Sequence, residues 1–157
     1  SPSIPPNTYD GWISTTDVAP TISGLAGLEW AGPKEGRDLS SMLENESVTH
    51  EPVFVERGTE TAGVIFQQYK YILSTLDQFE NCTPYTSNST GFVSPQEQIF
   101  DLQADPSEQN NIFTTAPVVK EQAQETLCNW ILGSVWTTQD NDPQNPLVVR
   151  CTTLLEN

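Results

Sequence analysis

Residues 63–73 read Gly63-Val64-Ile65-Phe66-Gln67-Gln68-Tyr69-Lys70-Tyr71-Ile72-Leu73, two runs of β-branched and aromatic side chains divided by a short polar linker. Side chains of these types fit a pleated, half-buried surface, and so short a link favours antiparallel neighbours. Upstream, Val53-Phe54-Val55 is a further β-rich run, and downstream Ile99-Phe100-Asp101-Leu102 is a fourth. Between the third and fourth runs, Asp77 to Gln98 is rich in Asn, Ser, Thr and Pro and reads as a long loop.

A layer of strands with one apolar face needs a cover. Pro117 can open a helix in which Val118, Val119, Ala123, Thr126, Leu127, Trp130 and Ile131 share a face. The fold class expected is therefore α+β, a four-stranded antiparallel sheet covered by this long helix. A shorter helix precedes the sheet: Ser14-Thr15-Thr16-Asp17 offers capping oxygens, Gly27 offers a left-handed terminus, and residues 18–26 lie between. Val18, Ile22, Leu25 and Ala26 fall at helical spacing and predict a packing face. Gly32-Pro33 and Gly36 break regular structure, after which Leu39 to Leu43 suits one helical turn. The organisation expected is a segment 1–48, an α+β subdomain 49–132, and a tail 133–157 in which Leu147 to Cys151 suits a strand.

The chain has 157 residues with 21 acidic and 6 basic side chains and a formal charge of −15, which argues against nucleic acid or anionic lipid as a partner. No run approaches the roughly 18 apolar residues of a membrane span. Its 4 Trp, 4 Tyr and 6 Phe supply enough apolar area for a core. Charged residues make up only 17% against abundant Ser, Thr, Asn and Gln, a surface suited to a secreted, extracellular protein.

Compartment signals agree with that composition. Asn45-Glu46-Ser47, Asn81-Cys82-Thr83 and Asn88-Ser89-Thr90 are N-glycosylation acceptors, with N-linked glycans as expected partners at Asn45, Asn81 and Asn88. Cys82, Cys128 and Cys151 lack zinc-site spacing, and the single His50 cannot complete such a site, so a disulfide is the expected use. Three cysteines allow three pairings and leave one thiol over. That odd thiol, with Ser1 in place of an initiator Met, leads to the expectation that the chain is a piece of a longer protein.

Several blocks carry a resemblance. They are Ser14-Thr15-Thr16-Asp17-Val18-Ala19-Pro20-Thr21-Ile22-Ser23-Gly24-Leu25-Ala26-Gly27-Leu28, Gly36-Arg37-Asp38-Leu39, Tyr69-Lys70-Tyr71-Ile72 and Ile99-Phe100-Asp101-Leu102 leading into Asp105-Pro106-Ser107-Glu108-Gln109-Asn110-Asn111. In order and spacing they resemble the carboxy-terminal portion of the arylsulfatase family. The resemblance implies the carboxy-terminal subdomain of an alkaline-phosphatase-like fold, preceded by a short helix from the edge of the catalytic domain, which it would pack against. It also implies a sulfuric ester hydrolase acting on sulfated carbohydrate or aryl sulfate, whose nucleophile and calcium ligands precede the matched blocks. The chain itself would then hold no catalytic residue, no cofactor and no metal, with calcium in the part not present. In that family the nucleophile is a formylglycine made from Cys in Cys-X-Pro-X-Arg. Cys82-Thr83-Pro84-Tyr85-Thr86 copies only the first half, with Thr86 where Arg is required, and reads as a loop.

Other chemistry-bearing groups resolve into bland readings. Asp140-Asn141-Asp142 lacks the spacing and closing Glu of a calcium loop and reads as a turn. His50 beside Glu51 has no nucleophile to serve. Trp130 belongs to the core, whereas Trp30 and Trp136 are open to a sugar-stacking role, and Trp12 lies in a turn. Lys34, Arg37, Arg57, Lys70, Lys120 and Arg150 are the fixed cations, scattered so that only the fold could gather them around an anion. Two functions follow: the non-catalytic portion of a sulfatase, partnered by its catalytic domain or a second chain, or an extracellular glycoprotein that reuses this fold for binding or self-association.

Overall fold

Four strands in the order β1-β2-β3-β4 form an antiparallel sheet, each strand beside its sequence neighbour. The computed structural model describes residues 11–32, 36–43, 51–58, 60–75, 96–133 and 144–156. They fall into two compact units, Ser1–Val53 and Phe54–Asn157, each taken by itself below.

In the first unit a 3-10 turn, Thr15–Asp17, runs into α1, Val18–Leu25, and α2 is the single turn Ser40–Leu43. Ser14 caps the start, its Oγ accepting from Thr16 N at 3.3 Å while Asp17 Oδ2 accepts from Ser14 N at 2.9 Å. This reciprocal pair satisfies two N–H groups that the helix cannot. Gly27 closes α1 with φ +69, and Leu28 N returns to Ser23 O at 2.9 Å, the left-handed ending expected of that glycine. The expected packing face is not buried, however. Val18 is 53% and Ile22 61% exposed, and Pro20 is the buried residue of α1. Helical spacing establishes that these side chains share a face; it does not supply a surface to cover them.

The second unit carries β1 (Val53–Arg57, begun at the boundary), β2 (Thr61–Phe66), β3 (Tyr69–Ser74) and β4 (Glu97–Asp101). The β2–β3 hairpin turns through Gln67 and Gln68, with Phe66 opposite Tyr69 and Gln67 at φ 50. Register then decides the core. Val64 lies opposite Tyr71, Ala62 opposite Leu73, and Tyr71 opposite Ile99, so all five side chains leave the same face.

That face is covered by α3, Pro117–Gly133, through Ala123, Leu127, Cys128 and Ile131. Burying a Leu or Ile fully contributes about 2 kcal/mol each. Val118, placed on the same face by periodicity, is instead 76% exposed, while its neighbour Val119 in the same first turn packs against the core. Trp130 lies at the edge of the core, its ring stacked on Phe54 with centroids 4.7 Å apart.

The strand expected at Leu147 to Cys151 is a helix, α4, Pro146–Leu155. Local chemistry outweighs its β-branched residues: Asn145 Oδ1 accepts from Leu147 N at 2.9 Å and Pro146 is pre-set for a first helical turn. Leu147 and Cys151, four residues apart, reach the core from one side of α4.

Candidate functional site

Two partly buried polar clusters, one in each unit, each gather charged and polar side chains from several segments. In the first unit Asp17 is 2% exposed and accepts on both carboxylate oxygens. Oδ1 takes Arg37 N at 2.8 Å and Nε at 3.4 Å, and Oδ2 takes Arg37 Nη2 at 2.9 Å besides Ser14 N. Burial pushes the Asp17 carboxyl up, but these bonds and the guanidinium charge prevail and hold it below its ordinary value. Thr21 Oγ1 adds a second tie, donating to Asp17 O at 2.6 Å and accepting from Leu39 N at 3.0 Å. Gly36 completes the closure, since a Cβ there would strike the carbonyl of Thr16. The blocks around Asp17 and Arg37 thus form one clasp, whose carboxylate accepts four hydrogen bonds.

In the second unit Glu97 of β4 collects donors from three other elements. Tyr71 OH of β3 gives 2.7 Å and Gln124 Nε2 of α3 gives 2.5 Å, both to Oε1, while Arg150 Nη2 of α4 gives 2.9 Å to Oε2. Burial first, and then the Glu97 carboxylate, push the Tyr71 phenol far above its usual range, so it remains a donor. The cluster ties the sheet to both helices.

The remaining described cations are also engaged or dispersed. Lys70 Nζ meets Glu108 at 2.7 and 3.0 Å, and Lys120 stands 5.0 Å over the Phe113 ring. Glu108 is placed there by the turn at Asp105, whose Oδ2 accepts from Asn110 N at 2.7 Å. Arg57 is exposed at the end of β1. Within the second unit the fold therefore does not gather Arg57, Lys70, Lys120 and Arg150 into one anion site.

Of the cysteines, Cys128 and Cys151 are joined in a disulfide between α3 and α4. Cys82, Asn45, Asn81, Asn88, His50, Trp136, Lys34 and Asp140-Asn141-Asp142 lie outside the described residues. Trp30 is 38% exposed, its ring so close above Gly32 that a Cβ there would collide with it. No group of three His, Cys, Asp or Glu that could hold a metal occurs among the described residues. Among those residues, too, no helix is long and apolar enough to cross a membrane. Sequence reasoning missed the roles of Glu97, Tyr71 and Gln124: their partners are 26 to 53 residues away, and no local spacing signals them.

No protein-family model matches the chain. An N-acetylgalactosamine-6-O-sulfatase of Bacteroides thetaiotaomicron is 26% identical over 128 residues, covering 79% of this chain and 24% of the relative. The chain is a sulfatase homologue. Solved structures share its fold. A 4S-sulf protein of Bacteroides thetaiotaomicron, from work on the metabolism of multiple glycosaminoglycans, superposes with a TM-score of 0.56 at 20% identity, covering 85% of this chain and 30% of that one. The sulfatase-assigned protein yidJ of Bacteroides fragilis gives 0.52 at 19% identity, covering 84% and 26%. This sulfatase homologue thus spans 24 to 30% of the length of these proteins.

Proposed function

We propose that the chain is the carboxy-terminal portion of a sulfatase, a sulfuric ester hydrolase, in which it supports the catalytic domain and shapes the substrate entrance without contributing a catalytic group. The observation that carries this reading is the 26% identity over 128 residues to an N-acetylgalactosamine-6-O-sulfatase, together with the fold shared with longer sulfatase chains. By that relationship the substrate class is a sulfated carbohydrate.

The polar chemistry of the described residues favours a supporting role. Asp17, Glu97 and Glu108 are each paired with a cation, and every such pair ties separate segments together within its unit. Calcium is implied by the family resemblance rather than by any residue of this chain. Its ligands would belong to the catalytic domain. Residence in a secretory or lysosomal compartment, with glycans on Asn45, Asn81 and Asn88, is supported by the Cys128–Cys151 disulfide, because such bonds persist where the surroundings oxidise.

Two measurements test the proposal. Purified chain 1–157 is expected to release no aryl alcohol from a nitrophenyl sulfate above the blank, and turnover would sink the claim of silence. The coding sequence upstream of Ser1 is expected to carry a Cys-X-Pro-X-Arg motif. Its absence there would favour the second reading, an extracellular glycoprotein using this fold for binding or self-assembly. The outward apolar row Val18, Ile22 and Leu28 on and after α1 is the observation that favours it, and light scattering on the isolated chain separates the two.

A further inference from the structure

α4 is a short outer layer held by two bonds of different chemistry. Cys151 is joined to Cys128 of α3 across 23 residues of sequence, and both cysteines are fully buried. One position earlier, Arg150 Nη2 reaches Glu97 Oε2 at 2.9 Å. Beneath it, part of the core and of the polar cluster is made by the sheet and α3 alone. Val64, Tyr71, Leu73 and Ile99 of the sheet meet Leu127 and Ile131 of α3, and Tyr71 and Gln124 hold Glu97 Oε1 with no help from α4.

The helix itself has 10 residues and buries only Leu147 and Cys151 completely. A helix of that length does not persist alone in water, where about 12 to 15 residues are needed even for favourable sequences. Its helical form therefore depends on docking, through Leu147 and Cys151 with the half-buried Val148 and Leu154, and the covalent bond confines α4 near α3 whenever it lifts away.

We propose that the Cys128–Cys151 disulfide is a redox-sensitive latch, whose reduction by a dithiol releases α4 from α3 while the sheet and α3 stay folded. The S–S bond accepts two electrons and two protons, forming two thiols, and the dithiol closes to its own cyclic disulfide. Because both cysteines are buried, the reductant reaches the bond as α4 opens transiently, so reduction follows the opening of the helix. Release takes Arg150 from Glu97 and uncovers α3 around Cys128. The latch stands apart from the sulfatase reading, since it rests on contacts within this unit alone.

Hydrogen exchange read by mass spectrometry on the full 157-residue chain tests it, before and after treatment with dithiothreitol. Amides of Leu147 to Leu155 are expected to exchange on the order of a hundredfold faster after reduction, the loop-closure effect of losing such a link. Amides of β2 and β3 are expected to keep their protection, and reoxidation to restore that of α4. The double variant Cys128→Ser, Cys151→Ser should expose α4 in the same way without reductant. Unchanged α4 protection in the reduced chain and in the double variant would overturn the latch. So would simultaneous loss of protection in β2 and β3, which would make the bond a staple for the whole unit.

Discussion

Arg150 of α4 and Glu97 of β4 form an ion pair 53 residues apart in sequence, Nη2 to Oε2 at 2.9 Å. The two ends of the pair are not equivalent. The Glu97 side chain is 10% exposed and serves three donors, whereas the Arg150 side chain is 38% exposed and its Nε is buried without a partner among the described residues. Removing the carboxylate strands Tyr71, Gln124 and Arg150 together, so Glu97→Ala is expected to cost about 3 kcal/mol. Arg150→Ala leaves Glu97 with two donors and also removes an unsatisfied N–H, so its cost is expected near 1 kcal/mol. Urea midpoints of the two variants measure the difference, and equal losses would contradict the asymmetry.

Asp17 gives the first unit a definite acid dependence. Its folded pKa lies below the ordinary aspartate value because the bonds from Arg37 and Ser14 outweigh burial. A depressed carboxyl pKa stabilises the folded state above the unfolded value, and that contribution fades as pH falls through the folded pKa. Amide protection of α1 is therefore expected to be level above about pH 5 and to decline below pH 4. Asp17→Asn should lower protection at neutral pH and remove the acid-dependent decline, leaving a residual slope only from other groups. An unchanged decline in Asp17→Asn would assign the acid sensitivity elsewhere.

The strands were legible because their information is local. Tyr71 alternates with less buried neighbours, Val64 pairs opposite it, and the Gln67-Gln68 link fixes their register. The long helix was legible for the same reason, through Ala123, Leu127 and Ile131. At α4 two local signals competed. Val148-Val149 suggested a strand, but Asn145-Pro146 starts a helix and the bond to Cys128 holds it against α3. Neither polar cluster could be found from spacing, since Glu97 is joined to Gln124 and Arg150 only through the packing of sheet and helices. Arg37 was identified as a cation, yet its carboxylate partner lies 20 residues earlier, in a segment whose acidic residue reads first as a helix cap.

The Phe54–Trp130 contact separates stacking from burial. The rings are nearly parallel, 4° apart, with centroids at 4.7 Å. Trp130→Leu keeps most of the apolar contact and loses the stack, so about 1 kcal/mol is expected. Trp130→Ala removes both and should cost about 3 kcal/mol. Thermal unfolding of the pair of variants checks the step, and a Leu variant as unstable as the Ala variant would make the stack the whole of the interaction.

Asn111 guards the outer edge of the sheet. Its Oδ1 accepts from Ile99 N and from Phe113 N, both at 3.0 Å, and the next residue, Ile112, gives its N–H to Ile99 O at 2.9 Å. The segment thereby occupies both backbone groups of Ile99 that face away from β3. Ile99 is fully buried, so its N–H has no easy access to water once the acceptor is gone. Asn111→Ala is expected to cost about 2 kcal/mol for that stranded donor. It should also loosen the 111–113 segment and leave β4 able to pair with another chain. Light scattering at rising protein concentration should then report association in Asn111→Ala that the parent chain does not show. Loss of stability without association would mean that the segment still covers the edge when Asn111 is absent, and that Ile112 alone is sufficient to hold it.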